Sequence, residues 1–276
     1  MLALVPDRSF DGRFFEGHAL FWPLAPAASS FSDERDWPAV ETYERAFLDP
    51  TTTPVRFEAA LPLPRGRRRP TAIDPGRLYD ARITRERCVP TRSRSWHDFL
   101  NALVWATFPR AKLALHQRQH RALVDRIPAG ASTLPATRSR EHDTLALIDE
   151  GGVVVLDDGR AREMVLFGHA LYEGLVLGRG AMTACAIRAP VTSLPTDPRA
   201  RVALADEALA DHLATAVLEP RGHDRVRIEP TSGLGSSRRS PAPAAQGRSV
   251  RPAPLQSCEN THWHPNPVGS GGVRRQ

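Results

Sequence analysis

The sequence predicts an α+β fold, with a small, mainly antiparallel sheet packed against three or four helices. Three observations predict it. A stretch opened by Ser95 is apolar on nearly every helical face, runs of β-prone residues alternate with turn residues between Thr144 and Val191, and Asp197-Pro198 opens a late amphipathic stretch.

Taken in order, the first 50 residues mix aromatics with prolines, and Pro38 opens a short helix over Asp36 to Leu48. Leu61 to Pro75 holds three prolines and four arginines before its last residue and reads as a solvated connection. Ser95 caps a helix with Asp98 at its third position, and Trp96, Phe99, Leu100, Leu103 and Thr107 share a stripe. Because its other faces are also apolar, this helix is expected to be buried, holding His97, Asp98 and Asn101 inside the protein near its N-terminal end. Pro109 ends it and starts a second helix over Arg110 to Val124, where His116 and His120, one turn apart, read as a solvated polar face.

Pro128 to Arg140 is a loop by composition. Thr144 to Asp149 and Val153 to Leu156 then read as two strands of a hairpin turning at Glu150-Gly151-Gly152. Glu163 to Phe167 predicts a third strand leading into a helix from His169 to Leu177, closed by Gly178. Met182 to Val191 is a further strand, and Pro198 begins a helix burying Val202, Ala205, Leu209 and Leu213.

A single globular domain is expected over 1–220, followed by a disordered Arg/Pro/Ser/Gly-rich tail over 221–276. That tail carries nine arginines against three acidic residues, which accounts for the whole formal charge of +6. The charge excess therefore lies off the folded surface, and nucleic acid is discounted as a partner. Three scattered cysteines give neither a disulfide framework nor a Cys-x-x-Cys metal site. With no apolar run of membrane-spanning length and no signal-peptide pattern, the chain reads as soluble and cytoplasmic. No partner or cofactor is identified.

The candidate chemistry lies in small polar groups. His97 and Asn101 stand one turn apart with Asp98 between them, and His169 and Glu173 repeat that spacing at the start of another helix. Asp149 and Glu150 are candidate oxygen ligands for a divalent cation. If these groups converge, they make a hydrolytic metal site or a His/carboxylate acid-base pair; if each is saturated locally, they form a structural network in a non-catalytic binding or scaffold domain. The pair Asp149-Glu150 also suits ordinary hairpin punctuation. Cys258, His262 and His264 fall in the tail and read as incidental.

The runs Tyr79-Asp80-Ala81-Arg82-Ile83, Val89-Pro90-Thr91-Arg92, Trp96 to Trp105 and Phe108-Pro109-Arg110 resemble the bacterial domain-of-unknown-function family 3025. Asp143-Thr144-Leu145, Asp149-Glu150-Gly151 and Phe167-Gly168-His169-Ala170-Leu171-Tyr172-Glu173 follow in the family's order. The resemblance is strongest over 79–185. It implies a bacterial domain of unknown function and brings no activity, substrate or site residue with it. Members of the family tend to end in a Gly-Trp segment followed by Asn and a Phe-Tyr-Asp-Asp stretch. This chain offers only His262-Trp263-His264-Pro265-Asn266 there, so its C-terminal end reads as degenerate or frame-shifted.

Overall fold

A computed structural model describes residues 9–48, 54–60, 78–127, 137, 139–215 and 224–229. The arrangement is built around one buried helix, and the α+β class holds. Two short helices, α1 (Ala25–Ala28) and α2 (Tyr79–Ala81), precede helix α3 (Trp96–Thr107). The Ser95 side chain accepts from the Asp98 amide, which supplies the expected cap, and all residues from Phe99 to Trp105 are buried. Phe99 is the centre of an aromatic cluster: the rings of Phe10, Phe31 and Tyr43 lie 5.1 to 5.3 Å from it. The aromatic-rich N-terminal segment thus serves as a cover for α3. Its helical turn runs over Val40–Ala46 and is 3-10 in form, shorter than the helix expected over Asp36 to Leu48.

Pro109 starts α4 (Pro109–Val124) as expected. The N-terminus of α4 is also tied to α7 (Pro198–Thr215), because buried Asp206 accepts the Arg110 and Ala111 amides. Along α7, Ala205, Leu209 and Leu213 are fully buried.

The hairpin expected at 144–156 is replaced by a helix followed directly by a strand. Helix α5 (Arg140–Gly151) is capped by Ser139, carries Glu141 and Asp143 in its first turn, and buries Thr144, Leu145 and Ile148 along one side. With this added helix, the described residues form five helices of eight or more residues. Two histidines on α4 also depart from expectation: His116 and His120 are buried. His116 Nδ1 donates to Asp80 Oδ1, 2.9 Å away, and the ring stacks on Trp105. A helix side that reads as polar in sequence faces α2 and the turn after it.

The main sheet has the order β4-β3-β5-β6 and combines β3 (Gly152–Asp157), β4 (Arg162–Leu166), β5 (Met182–Pro190) and β6 (Asp224–Ile228). Strands β3 and β4 pair antiparallel, β3 and β5 pair parallel, and β5 and β6 pair antiparallel. A separate parallel pair joins β1 (Arg56–Ala59) to β2 (Cys88–Thr91). Between β4 and β5 lies α6 (His169–Val176), after which Gly178 takes a positive φ of 65°. Strand β6 lies within 221–276, the stretch set apart above as a tail, and its pairing with β5 makes it the sheet's edge. The basic run at 61–75 and Cys258, His262 and His264 lie outside the described residues. No described helix is long and apolar enough to cross a membrane.

The end of α5 and the start of α6 meet main chain to main chain. The Phe167 and Gly168 amides donate to the Gly152 carbonyl at 3.0 and 2.9 Å, and a Cβ at position 168 would collide with the Glu150 carbonyl. Gly168→Ala is therefore expected to destabilise the protein by about 1–3 kcal/mol. Gly180→Ala, where a Cβ meets open space, is the neutral control, and urea denaturation of both variants checks the difference.

Candidate functional site

The Gly168 contact sets the first residue of α6 beside the last turn of α5. There His169 meets Asp149 and Glu150, and α3, packed against α6, brings His97 to the same place. A cleft of about 330 Å³ opens there, lined by Tyr79, Pro90, Thr91, Arg92, His97, Asp98, Asn101, Asp149, Glu150 and His169. Six of the seven residues singled out in the sequence line it. The seventh, Glu173, stands behind His97 and bonds to it.

The two imidazoles meet edge to face, with His97 Nε2 and His169 Nε2 2.9 Å apart. Glu150 reaches both rings: its carboxylate oxygens lie 3.9 Å from His97 Nε2 and 3.5 Å from His169 Nε2. One ligand atom from each of His97, Glu150 and His169 falls within 4.8 Å of the others. On its far side His97 Nδ1 is held by Glu173 Oε2 at 3.1 Å. His169 Nδ1 has no hydrogen bond among the described residues, and Asp149 Oδ1 lies 4.0 Å from it.

The remaining polar groups are engaged elsewhere. Arg92 holds Asp98 through its backbone amide and through two guanidinium nitrogens at 2.9 Å each. Asn101 donates to the Tyr79 hydroxyl at 3.3 Å and accepts from Lys112 Nζ at 2.7 Å. Lys112, fully buried, also donates to Asp149 Oδ1 at 2.5 Å. Asp149, expected as a cation ligand, therefore already has a cation. In place of a hairpin turn, Asp149 and Glu150 occupy the C-terminal turn of a helix facing the cleft.

The electrostatics follow from these contacts. The hydrogen bond that His97 donates to Glu173 holds His97 protonated to a higher pH than usual, against the opposing effect of burial. The same bond holds Glu173 below the ordinary carboxylate range. Burial pushes His169 down to about 3, so its ring is neutral at physiological pH. Burial raises Glu150. Burial would also raise Asp149, but the Lys112 ammonium bonded to it outweighs burial and holds the carboxyl well below its usual range.

Lys112, Tyr79 and Arg92 are site residues that the motif reading did not assign. Tyr79 and Arg92 stand in the runs that carry the family resemblance, and Lys112 is conspicuous as the single lysine of the chain. Residues 69–162 match the family model described as Protein of unknown function (DUF3025), which bears out the resemblance seen in the motifs. The matched stretch includes His97, Lys112, Asp149 and Glu150 and ends before His169 and Glu173. No curated protein and no solved structure matches the chain.

Sign and order of titration follow for the metal-free protein. Stabilisation from the raised His97 is present below its ordinary range and lost as pH rises through the raised value. Stabilisation from the depressed Glu173 is lost as pH falls through its lowered value. In NMR titration, Glu173→Gln should therefore lower the His97 pKa, and His169 should show no titration between about pH 5 and 8. A wild-type His97 titrating below a free histidine, or a His169 step in that range, contradicts this assignment.

Proposed function

We propose that the cleft binds a divalent metal ion through His97 Nε2, His169 Nε2 and a Glu150 carboxylate oxygen, and that the chain is a metal-dependent hydrolytic enzyme. The observation that carries this reading is the meeting of the two Nε2 atoms with Glu150, while the opposite nitrogen of His97 is tied to the second carboxylate, Glu173. Two imidazoles and one carboxylate form a three-ligand set that leaves a coordination position for water. A carboxylate behind a ligand histidine fixes its ring orientation and tautomer.

The spacing supports the same reading. Tetrahedral zinc with bonds of about 2.0–2.1 Å requires ligand nitrogens about 3.3 Å apart. The two rings, at 2.9 Å, need to separate by only a few tenths of an ångström. Borderline imidazole and carboxylate donors favour zinc or a neighbouring first-row metal over calcium or magnesium.

Such an ion supplies an acidified water as nucleophile and polarises a carbonyl or phosphoryl oxygen. Tyr79 lines the same cleft, and because its hydroxyl oxygen accepts from Asn101, its own proton is available to a substrate oxygen. Arg92 and Asp98 pair along one wall of the cleft. The competing reading is a structural polar network. Its support is the local pairing of Asp98, Asn101 and Asp149 together with the Nε2–Nε2 contact itself; the metal reading adds a reason for Glu150 to stand beside both imidazole nitrogens.

Elemental analysis of the purified full chain is the test. Stoichiometric metal is expected in the wild type and absent from His97→Ala and His169→Ala. Glu173→Gln should stay folded and bind metal about 10–100-fold more weakly. Metal-free wild-type protein whose histidine variants merely unfold would favour the network. Metal found and lost in this pattern directs activity assays to phosphoesters and amides.

A further inference from the structure

Of the 37 lysine and arginine residues in the chain, Lys112 alone is lysine. The surroundings of Lys112 give a chemical reason for that exception. Its side chain is completely buried on α4. The ammonium donates to Asp149 Oδ1 at 2.5 Å and to Asn101 Oδ1 at 2.7 Å, and it lies 5.5 Å from the centre of the Trp105 ring. An ammonium has three N–H donors; here one carboxylate and one carboxamide oxygen receive two of them, and the charge lies at cation–π distance from the Trp105 ring. A guanidinium carries five N–H donors fixed in a plane on a bulkier head. At this position it would leave donors without acceptors in a site that water does not reach.

Asn101 and Trp105 belong to α3, and Asp149 belongs to α5. The ammonium therefore sits where α3, α4 and α5 meet. One turn before Asn101, α3 carries His97; next to Asp149, α5 carries Glu150. A rotation or slide of either helix that separates these two groups must break a bond to Lys112. Lys112 itself is not among the residues lining the cleft.

We propose that Lys112 is a positioning residue for the cleft, its ammonium setting the spacing between His97 on α3 and Glu150 on α5, and that arginine cannot replace it. For metal affinity this rests on the metal-site reading above; for the geometry of the two histidines it does not. The relevant variants are Lys112→Arg, which leaves Asp149 intact, and the double variant Lys112→Met with Asp149→Asn, which removes both buried charges together.

Both are made in the full chain and read in two ways: zinc affinity by competition with a chromophoric chelator, and the ring 15N shifts of His97 and His169 in metal-free protein. Folded variants should bind zinc at least about tenfold more weakly, and their histidine shifts should leave the wild-type values as the Nε2 contact is lost. Wild-type affinity and shifts in Lys112→Arg would overturn the proposal, because any cation would then serve. Wild-type values in the double variant would also overturn it, leaving an ion pair with only a structural role. Failure of both variants to fold counts against the positioning role in the same way. If the wild type takes up no zinc, the metal reading fails alone and the ring shifts still decide this one.

Discussion

Where α5 ends, two stretches of main chain meet with no side chain between them, and the cleft depends on that approach. The Gly168 amide bonds to the Gly152 carbonyl, and its Cα lies too close to the Glu150–Gly151 peptide for any Cβ. This contact closes a short circuit: α5 runs directly into β3, β4 returns antiparallel beside it, and α6 begins where α5 stopped. His169, the first residue of α6, therefore faces Asp149 and Glu150 across the gap. A bulkier residue at 168 would push α6 away, and the histidine would go with it. Backbone hydrogen bonds and the absence of a Cβ at position 168 hold this part of the site together before any of its own polar contacts are counted.

The helices that position the site were legible to different degrees, for identifiable reasons. Ser95, Pro109 and Pro198 mark helix starts by chemistry that tertiary structure rarely overrides, and the near-continuous apolar faces of α3 required burial. Helix α5 was hidden because Thr144-Leu145-Ala146-Leu147-Ile148 fits a short strand as well as a helix. Periodicity alone does not separate the two over so few residues. The deciding signals were upstream, in the Ser139 cap and the acidic residues of the first turn. Reading that segment as a hairpin also put Asp149 and Glu150 at a strand end and turn, where the structure has the last turn of a helix. His116 and His120 were hidden differently. Their flanking Gln117, Arg118 and Gln119 read as a wet face, whereas α2 and the following turn cover the histidines. The convergence of His97 with His169 is a tertiary fact that spacing within either helix could not supply.

The charges of the cleft divide between two environments. Asp98 and Arg92 pair toward solvent, where the ion pair is screened and contributes little to stability. Lys112 and Asp149 pair in the interior, where desolvation is expensive and only a fully satisfied ammonium repays it. A lone lysine in an arginine-rich chain is thus a trace of that constraint, because exposed positions tolerate either cation and this one does not.

The two histidines carry the argument furthest. Their Nε2 atoms lie 2.9 Å apart, yet Glu173 raises the proton affinity of one ring while burial lowers that of the other. A proton shared along the line between them is therefore favoured on His97, with the lone pair of His169 as its acceptor. Glu150 stands beside that line with a carboxylate that burial makes costly to ionise. A divalent cation substituting for the shared proton would face two imidazole lone pairs and an anion already in place, with Glu173 balancing the charge from behind. The arrangement that stabilises a proton in the metal-free cleft is therefore the one that a metal would find preorganised.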